Sequence, residues 1–251
     1  MRRRASPSSV AVRAASAAVA GLLVAALWAA PVRAAELTRR EVLDAMKRAA
    51  SFMIETVAVR GGYAWVVSED LARRWGEVPA RPSQIWLQGG TERVGSVLLD
   101  AYEATGDDAY LRGARQAADA LVFGQHHLGG WHYFIDFDPA GVPEWYETQA
   151  SRFHYGLEEF RHYYGNATYD DQVTQDAARF LLRFYSATRE AAYREPLLKA
   201  LGFVLLSQYP NGAWPQRYPL RHDYVHEGLP DYTSFYTLND GAAEANIELL
   251  L

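Results

Sequence analysis

The sequence predicts an all-α fold, an incomplete α/α toroid of stacked helical hairpins with short β or loop segments at one end. Three observations predict it. Apolar residues recur at helical spacing through most of the chain, while strand signals are scarce. A unit of helix, short turn, helix, glutamine, glycine-containing loop and tryptophan recurs: Gln125 and Gln208 are 83 residues apart, as are Trp131 and Trp214, Tyr110 and Tyr193, and Thr91 and Thr174. Each tryptophan loop follows the second helix of its unit, so all of these loops belong at one end of the array. Repeated helix pairs of this length stack on their neighbours. A ring, which gathers the loops around one mouth, is favoured over an open solenoid.

The elements follow in order. Thr38 is a natural N-cap, and Val42, Leu43, Met46, Ala50, Met53, Ile54 and Val57 give an amphipathic helix over 39–58. Gly61 and Gly62 end it, and the turn with Tyr63 reads as an earlier, incomplete copy of the repeat. Residues 66–88, with Pro79 and Pro82, read as loop with a short helix. Helices over 91–104 and 109–123 make the first full hairpin, turned at Gly106-Asp107-Asp108. Residues 131–137 carry a weak strand signal and are expected to pair locally. The helix over 197–207 stops at Gln208–Tyr218, a loop with two prolines and a glycine. A third copy opens at Thr237-Leu238-Asn239-Asp240, which echoes Thr168–Asp171 at an offset of 69, and it stops at Leu251.

Residues 1–34 read as a secretory signal peptide: Arg2, Arg3 and Arg4, an apolar run over 15–30, and a small-x-small site at Val32-Arg33-Ala34. The apolar run is short for a spanning helix. The expected location is secreted or periplasmic, with residues 35–251 as one toroid domain and a monomer. The formal charge is −5, and removing a leader with five arginines and no acids leaves −10. Such a charge argues against nucleic acid and anionic membrane as partners, and it requires local cations or a metal for any anionic substrate. No cysteine is present, so no disulfide staples the chain.

Chemistry concentrates in two stretches. Gln208–Tyr218 sets Tyr209, Trp214 and Tyr218 on a short rigid frame with Gln216 and Arg217 between them. Aromatic faces beside a planar guanidinium suit a sugar ring bearing a carboxylate. Trp131, Trp214, Tyr218 and Asn239 are therefore candidate substrate contacts, against the blander reading of a loop packed down as a lid on the core. The second stretch is Thr168–Gln175, with Asp170 and Asp171 at a helix start. One acid there is explained by free amides and the helix dipole. Two acids, echoed by Asn239-Asp240 before the next helix, suggest oxygens from neighbouring helix starts sharing a hard cation such as Ca2+, with Asp171 and Asp240 as ligands. The histidines offer no pair at helical metal-binding spacing: His126 and His127 are adjacent, His132, His154 and His162 are scattered, and His222 and His226 flank Asp223 in a stretch that reads as loop lining the cleft.

Three successive stretches resemble signatures of the pectate lyases of polysaccharide lyase family ten: Thr168–Gln175, Gln208–Pro219 and Tyr236–Ala242. The resemblance is strongest over 165–251 and extends back to about 85. It implies an α/α toroid and calcium-assisted β-elimination of polygalacturonate, with Asp170, Asp171 and Arg217 as the catalytic candidates present. Gln172 and Gly241 stand where family members often carry a further acid or amide. The family's base is an arginine expected on a later hairpin, so residues 35–251 are expected to bind carbohydrate weakly, to catalyse poorly and to expose Ile247, Leu250 and Leu251. The chemistry is coherent: the C5 proton of galacturonate is acidic only once the neighbouring carboxylate is neutralised, and a base then takes it as the C4 oxygen leaves. The alternatives are a carbohydrate-binding toroid without catalysis, and a glycoside hydrolase using Asp170 or Asp171 with Glu147.

Overall fold

In the computed structural model, residues 37–153, 165–221, 225–226, 229–230 and 232–251 are described. Contacts divide the chain into two units, residues 1–45 and 46–251. In the first, Thr38 opens helix α1, Arg39–Phe52, with a reciprocal capping box. The Thr38 amide donates to Glu41 Oε2 at 2.9 Å, and the Glu41 amide donates to Thr38 Oγ1 at 3.3 Å.

In the second unit the helix ends in a π turn, Met53–Val57, within the expected boundary. Its apolar stripe is less covered than the periodicity suggests. Met46 and Phe52 remain exposed, and only Val57 is fully buried. Residues 66–88 hold no helix. They form a small antiparallel ribbon, β1 (Val66–Val67) with β2 (Arg74–Trp75), and then β3 (Gln84–Trp86).

Two complete hairpins follow. The first is α2 (Thr91–Thr105) and α3 (Asp108–Gly124). Gly106 takes the left-handed conformation that closes α2, and the Asp107 side chain caps α3 by accepting from the Ala109 amide at 2.9 Å. After β4 (Phe134–Asp136) comes α4 (Val142–Phe153), then β5 (Ala167–Thr168). The second hairpin is α5 (Val173–Thr188) and α6 (Arg194–Leu206). Beyond it lie β6 (Arg217–Tyr218), β7 (Val225–His226), β8 (Leu229–Pro230) and the opening of a third hairpin, α7 (Glu244–Leu250). The fold is thus mostly helical, with stacked hairpins and strands of two or three residues.

Close packing of α2 on α5 depends on Gly95, where a Cβ would lie 2.5 Å from the Phe180 ring. The core runs between the hairpins through Leu99, Ala117, Leu121, Ala177, Leu181, Phe184 and Phe203, all essentially inaccessible to solvent. On α7, Ala245, Asn246 and Leu249 are buried, whereas Ile247, Leu250 and, just after the helix, Leu251 are exposed, in line with the expectation from sequence.

Two of the four strand pairs join loops of successive hairpins rather than local neighbours. β4 was expected to pair locally; instead it pairs antiparallel with β3, Trp86 opposite Phe134, across almost fifty residues. β5 pairs in the same way with β6, Thr168 opposite Arg217. In each case the strand before a hairpin's first helix meets the strand after its second. Both ends of an antiparallel hairpin lie together, so the pairings gather on one side of the array.

The repeat is visible atom by atom. The Trp131 amide donates to Thr174 Oγ1 at 3.0 Å, as the Tyr63 amide does to Thr91 Oγ1, which bears out the Gly61–Tyr63 turn as an earlier copy. Gln125 Nε2 donates to the Gly129 carbonyl at 2.8 Å, and Gln208 Nε2 to that of Gly212 at 2.9 Å.

Candidate carboxylate site at the helix starts

Each hairpin is preceded by two consecutive residues of positive φ. They are Gln88 and Gly89 (61° and 85°), Asp171 and Gln172 (49° and 63°), and Asp240 and Gly241 (53° and 75°). Gln88, Asp171 and Asp240 hold the same place in three successive units. The left-handed pair turns the chain abruptly into the helix, and Asn, Asp and Gly tolerate it best. A Cβ on Gly241 would lie 2.4 Å from Gln172 Cγ, so the second and third turns are in contact. Gln175 reinforces that contact, its Nε2 lying 3.4 Å from the Gly241 carbonyl and 3.5 Å from that of Ala242.

These turns bring the acids together. Gln88 donates a short hydrogen bond to Asp171 Oδ2, and Asn239 donates one to Asp240. Partial burial, and then the charges of Asp170 and Asp240, push the Asp171 carboxyl up to about 6; the Gln88 bond opposes that rise. Glu77 is raised too, by its own partial burial and by Asp171 and Asp170. Sequence reasoning missed Glu77: a lone acid in the irregular stretch before β3 carries no local signal.

Asp170 is an extra residue relative to the turn before the first hairpin. The Leu87 amide bonds the Tyr133 carbonyl, and the Tyr169 amide bonds that of Gln216, at 2.8 Å each, which leaves Asp170 between matched positions. Its carboxylate is buried and accepts a short hydrogen bond from the Tyr133 hydroxyl. Arg217 lies over the Tyr133 ring, its guanidinium carbon 5.2 Å from the centroid, and hydrogen-bonds the same tyrosine. Burial above all holds the Tyr133 hydroxyl protonated, pushing it well above its ordinary value. Burial and then the Arg217 charge keep His132 neutral. The site is therefore an acidic surface backed by a buried relay of Asp170, Tyr133 and Arg217.

The aromatic candidates need correction. Trp131 is wholly buried and Trp214 nearly so. Their indole N–H groups donate at 2.8 Å to the carbonyls of Leu121 and Val204, ten residues back in each unit. Both loops lie at the expected end of the array, but the rings plug their hairpins and present no face to a sugar. Tyr218 is half-buried, its ring edge-on to Phe203 at 5.9 Å. Arg217 is 1% exposed, so its guanidinium does not reach out to a substrate carboxylate as expected. Among the described residues of this region, the exposed aromatics are Tyr232, Phe235 and Tyr236.

Asn239 and Asp240 are exposed, as is Asp171. Glu147, half of the hydrolase alternative, is exposed on α4, whereas the carboxylates acting on Asp171 are Asp170 and Asp240. The His126 and His127 rings lie 4.1 Å apart, tilted by 48°, and burial lowers His126. His154, His162, His222 and Asp223 lie outside the described residues, as does the side chain of His226. Among the described residues no three carboxylates or histidines form a ready-made metal cage.

Residues 145–251 match the family model for pectic acid lyase. The resemblance to the pectate lyases holds over that stretch. No curated protein matches the chain. Among solved structures, a family 10 polysaccharide lyase from Cellvibrio cellulosa is 22% identical with a TM-score of 0.39, over 64% of this chain and 39% of the other. A mutant of that lyase in complex with trigalaturonic acid gives 22% and 0.37, over 64% and 40%. A sugar epimerase from a ruminal bacterium gives 13% and 0.43, over 73% and 44%. The chain thus spans about two fifths of the length of these lyases. Likenesses at such TM-scores carry no weight for function, and the family match stands by itself. It covers Asp170, Asp171, Arg217, Asn239 and Asp240, while Glu77, Gln88 and Tyr133 lie outside it.

Proposed function

We propose that this chain is a pectate lyase-type protein that binds polygalacturonate at the helix-start acids through a bridging Ca2+, for cleavage by β-elimination. The observation that carries this is the partly buried Asp171 carboxyl, raised further by the neighbouring charges of Asp170 and Asp240, at successive helix starts within the matched stretch. A carboxylate crowded by neighbouring carboxylates is stabilised by a cation, and an oxygen-only donor set suits a hard one. Asp171 and Asp240 would hold it, with Asn239 beside them and Asp170 and Glu77 adding charge. Calcium, when bound, supplies the positive charge that lets a polyanion approach this acidic surface and that neutralises the uronate carboxylate. Two protein carboxylates leave most of a six- to eight-oxygen shell to water and substrate.

The chain's own residues do the positioning. Gln88 holds the Asp171 carboxylate at the mouth of the turn. The buried Arg217 bonds Tyr133, and Tyr133 fixes the orientation of Asp170. Arg217 thus supports the site from beneath. Its burial favours a second reading, binding without turnover, because this arginine does not reach a C5 proton. The leader-like residues 1–34 lie outside the described residues and support export; among the described residues no helix is long and apolar enough to cross a membrane.

The test is calorimetric titration of Ca2+ and polygalacturonate, together with ultraviolet absorbance of an unsaturated uronide. A lyase binds with calcium and produces the absorbance; a binder shows the first alone. A hydrolase releases reducing ends without the absorbance. Calcium-independent binding would remove the bridging cation from the proposal.

A further inference from the structure

Glu92 stands in the first turn of α2 and is 2% exposed. One carboxylate oxygen accepts from the Gly89 amide, closing the left-handed turn that carries Gln88. The other, Oε2, is buried and has no hydrogen-bond partner. A buried ionised carboxylate left half-satisfied is costly, and a cation would normally answer it.

The charged groups that line the same 380 Å³ cavity do not supply one. From its own helix come Arg93 and Asp100, and from α5 come Asp176, Arg179 and Arg183. Arg179 is engaged by Asp176 at 2.8 Å and Glu248 at 3.0 Å, and Arg183 by Asp100 at 2.5 Å. Asp176 opposes ionisation, and Arg93 offsets it only weakly.

The repeat shows what this position does. Glu92 lies one 83-residue unit before Gln175, which is also fully buried. The Gln175 amide points at the carbonyls of Gly241 and Ala242 and so ties its own hairpin to the start of the next. The residues in those places one unit earlier are Gln172 and Val173.

We infer that Glu92 is a neutral carboxylic acid whose hydroxyl ties the start of α2 to the Gln172–Val173 start of α5, as the Gln175 amide ties α5 to the start of the third hairpin. Glu92 is then a positioning residue. It braces the Gln88–Gly89 turn from below, and Gln88 holds Asp171. Burial, as the largest cause, pushes its carboxyl up to about 7. The folded chain then holds this proton more tightly than the unfolded chain, so the contribution is complete below about pH 4.5 and is lost as pH rises through about 7. Ionisation would weaken the brace under the site in neutral to alkaline solution.

The inference goes beyond the proposed function and needs neither calcium nor substrate. Denaturant unfolding of the full chain and of E92Q is compared from about pH 5 to pH 9. In the unsubstituted chain the folding equilibrium constant should fall by on the order of 10² over that range from this group. E92Q should lose that part of the slope, match the parent near pH 5 and exceed it by a similar factor near pH 9. Asp171 adds its own slope to both proteins and cancels in the difference. The infrared carbonyl band of a protonated acid should be present in the parent near neutral pH, fade above it and be smaller in E92Q. The reciprocal Q175E should gain a new slope of the same sign. Parallel pH profiles, an E92Q chain less stable than the parent at alkaline pH, or an E92Q chain that does not fold would each show that Glu92 works as an anion and overturn the inference.

Discussion

Replacing Trp131 separates a core plug from a sugar platform. The ring is wholly buried, and its indole N–H satisfies the Leu121 carbonyl at 2.8 Å. That carbonyl belongs to the last turn of α3, where helix geometry supplies no amide and the Gln125 amide bonds Val122 instead. W131A removes the ring and leaves a cavity, at a cost of about 3–5 kcal/mol. W131F keeps most of the apolar bulk but strands the carbonyl, at about 1–3 kcal/mol. For a chain of this size each kcal/mol lowers Tm by about 2–4 °C, so W131A should melt about 10 °C or more below the parent and W131F between the two. Calorimetry gives the Tm values, and polygalacturonate binding is measured well below each of them. W214A should behave like W131A, because its indole makes the equivalent bond to Val204. An unchanged Tm with lost binding in either variant would show that the ring faces substrate and that our account of the loop is wrong.

Calcium affinity should weaken as pH falls below about 6, because the Asp171 carboxyl, pushed up to about 6, then takes a proton that competes with the cation; titrations at stepped pH check this, and a flat profile would remove Asp171 from the ligand set. D171N should lower calcium affinity by about tenfold or more while leaving Tm within a few degrees, whereas loss of folding would reassign it to structure. R217M should cost about 1–3 kcal/mol in denaturant unfolding, since it removes the buried guanidinium that bonds Tyr133, the donor to Asp170; full stability would mean that Arg217 is not the support beneath the site. G241A should cost at least about 1 kcal/mol, because an alanine must hold a left-handed φ there and its Cβ meets Gln172; a neutral result would mean that the Gln172 and Gly241 turns do not touch.

The sequence by itself determined the paired helices of the hairpins, the repeat and the acids of the helix starts. Those features are local: apolar spacing sets a helix face, and the 83- and 69-residue offsets carry the same short-range contacts into each unit. The left-handed pairs at Gln88, Asp171 and Asp240 follow from the same offsets. Tertiary structure alone decided what the loops' side chains do. An aromatic loop has the same composition whether its ring covers a helix end or stacks on a sugar. Trp131 and Trp214 became plugs because the α3 and α6 carbonyls wait ten residues upstream. Arg217 is buried because β6 pairs with β5 and lays it across Tyr133, a residue of the preceding unit. Glu77 joined the acids from about ninety residues away, and β4 found β3 rather than a local partner. Such encounters depend on how hairpins stack, and stacking is set by the whole buried surface, which no short stretch of sequence records.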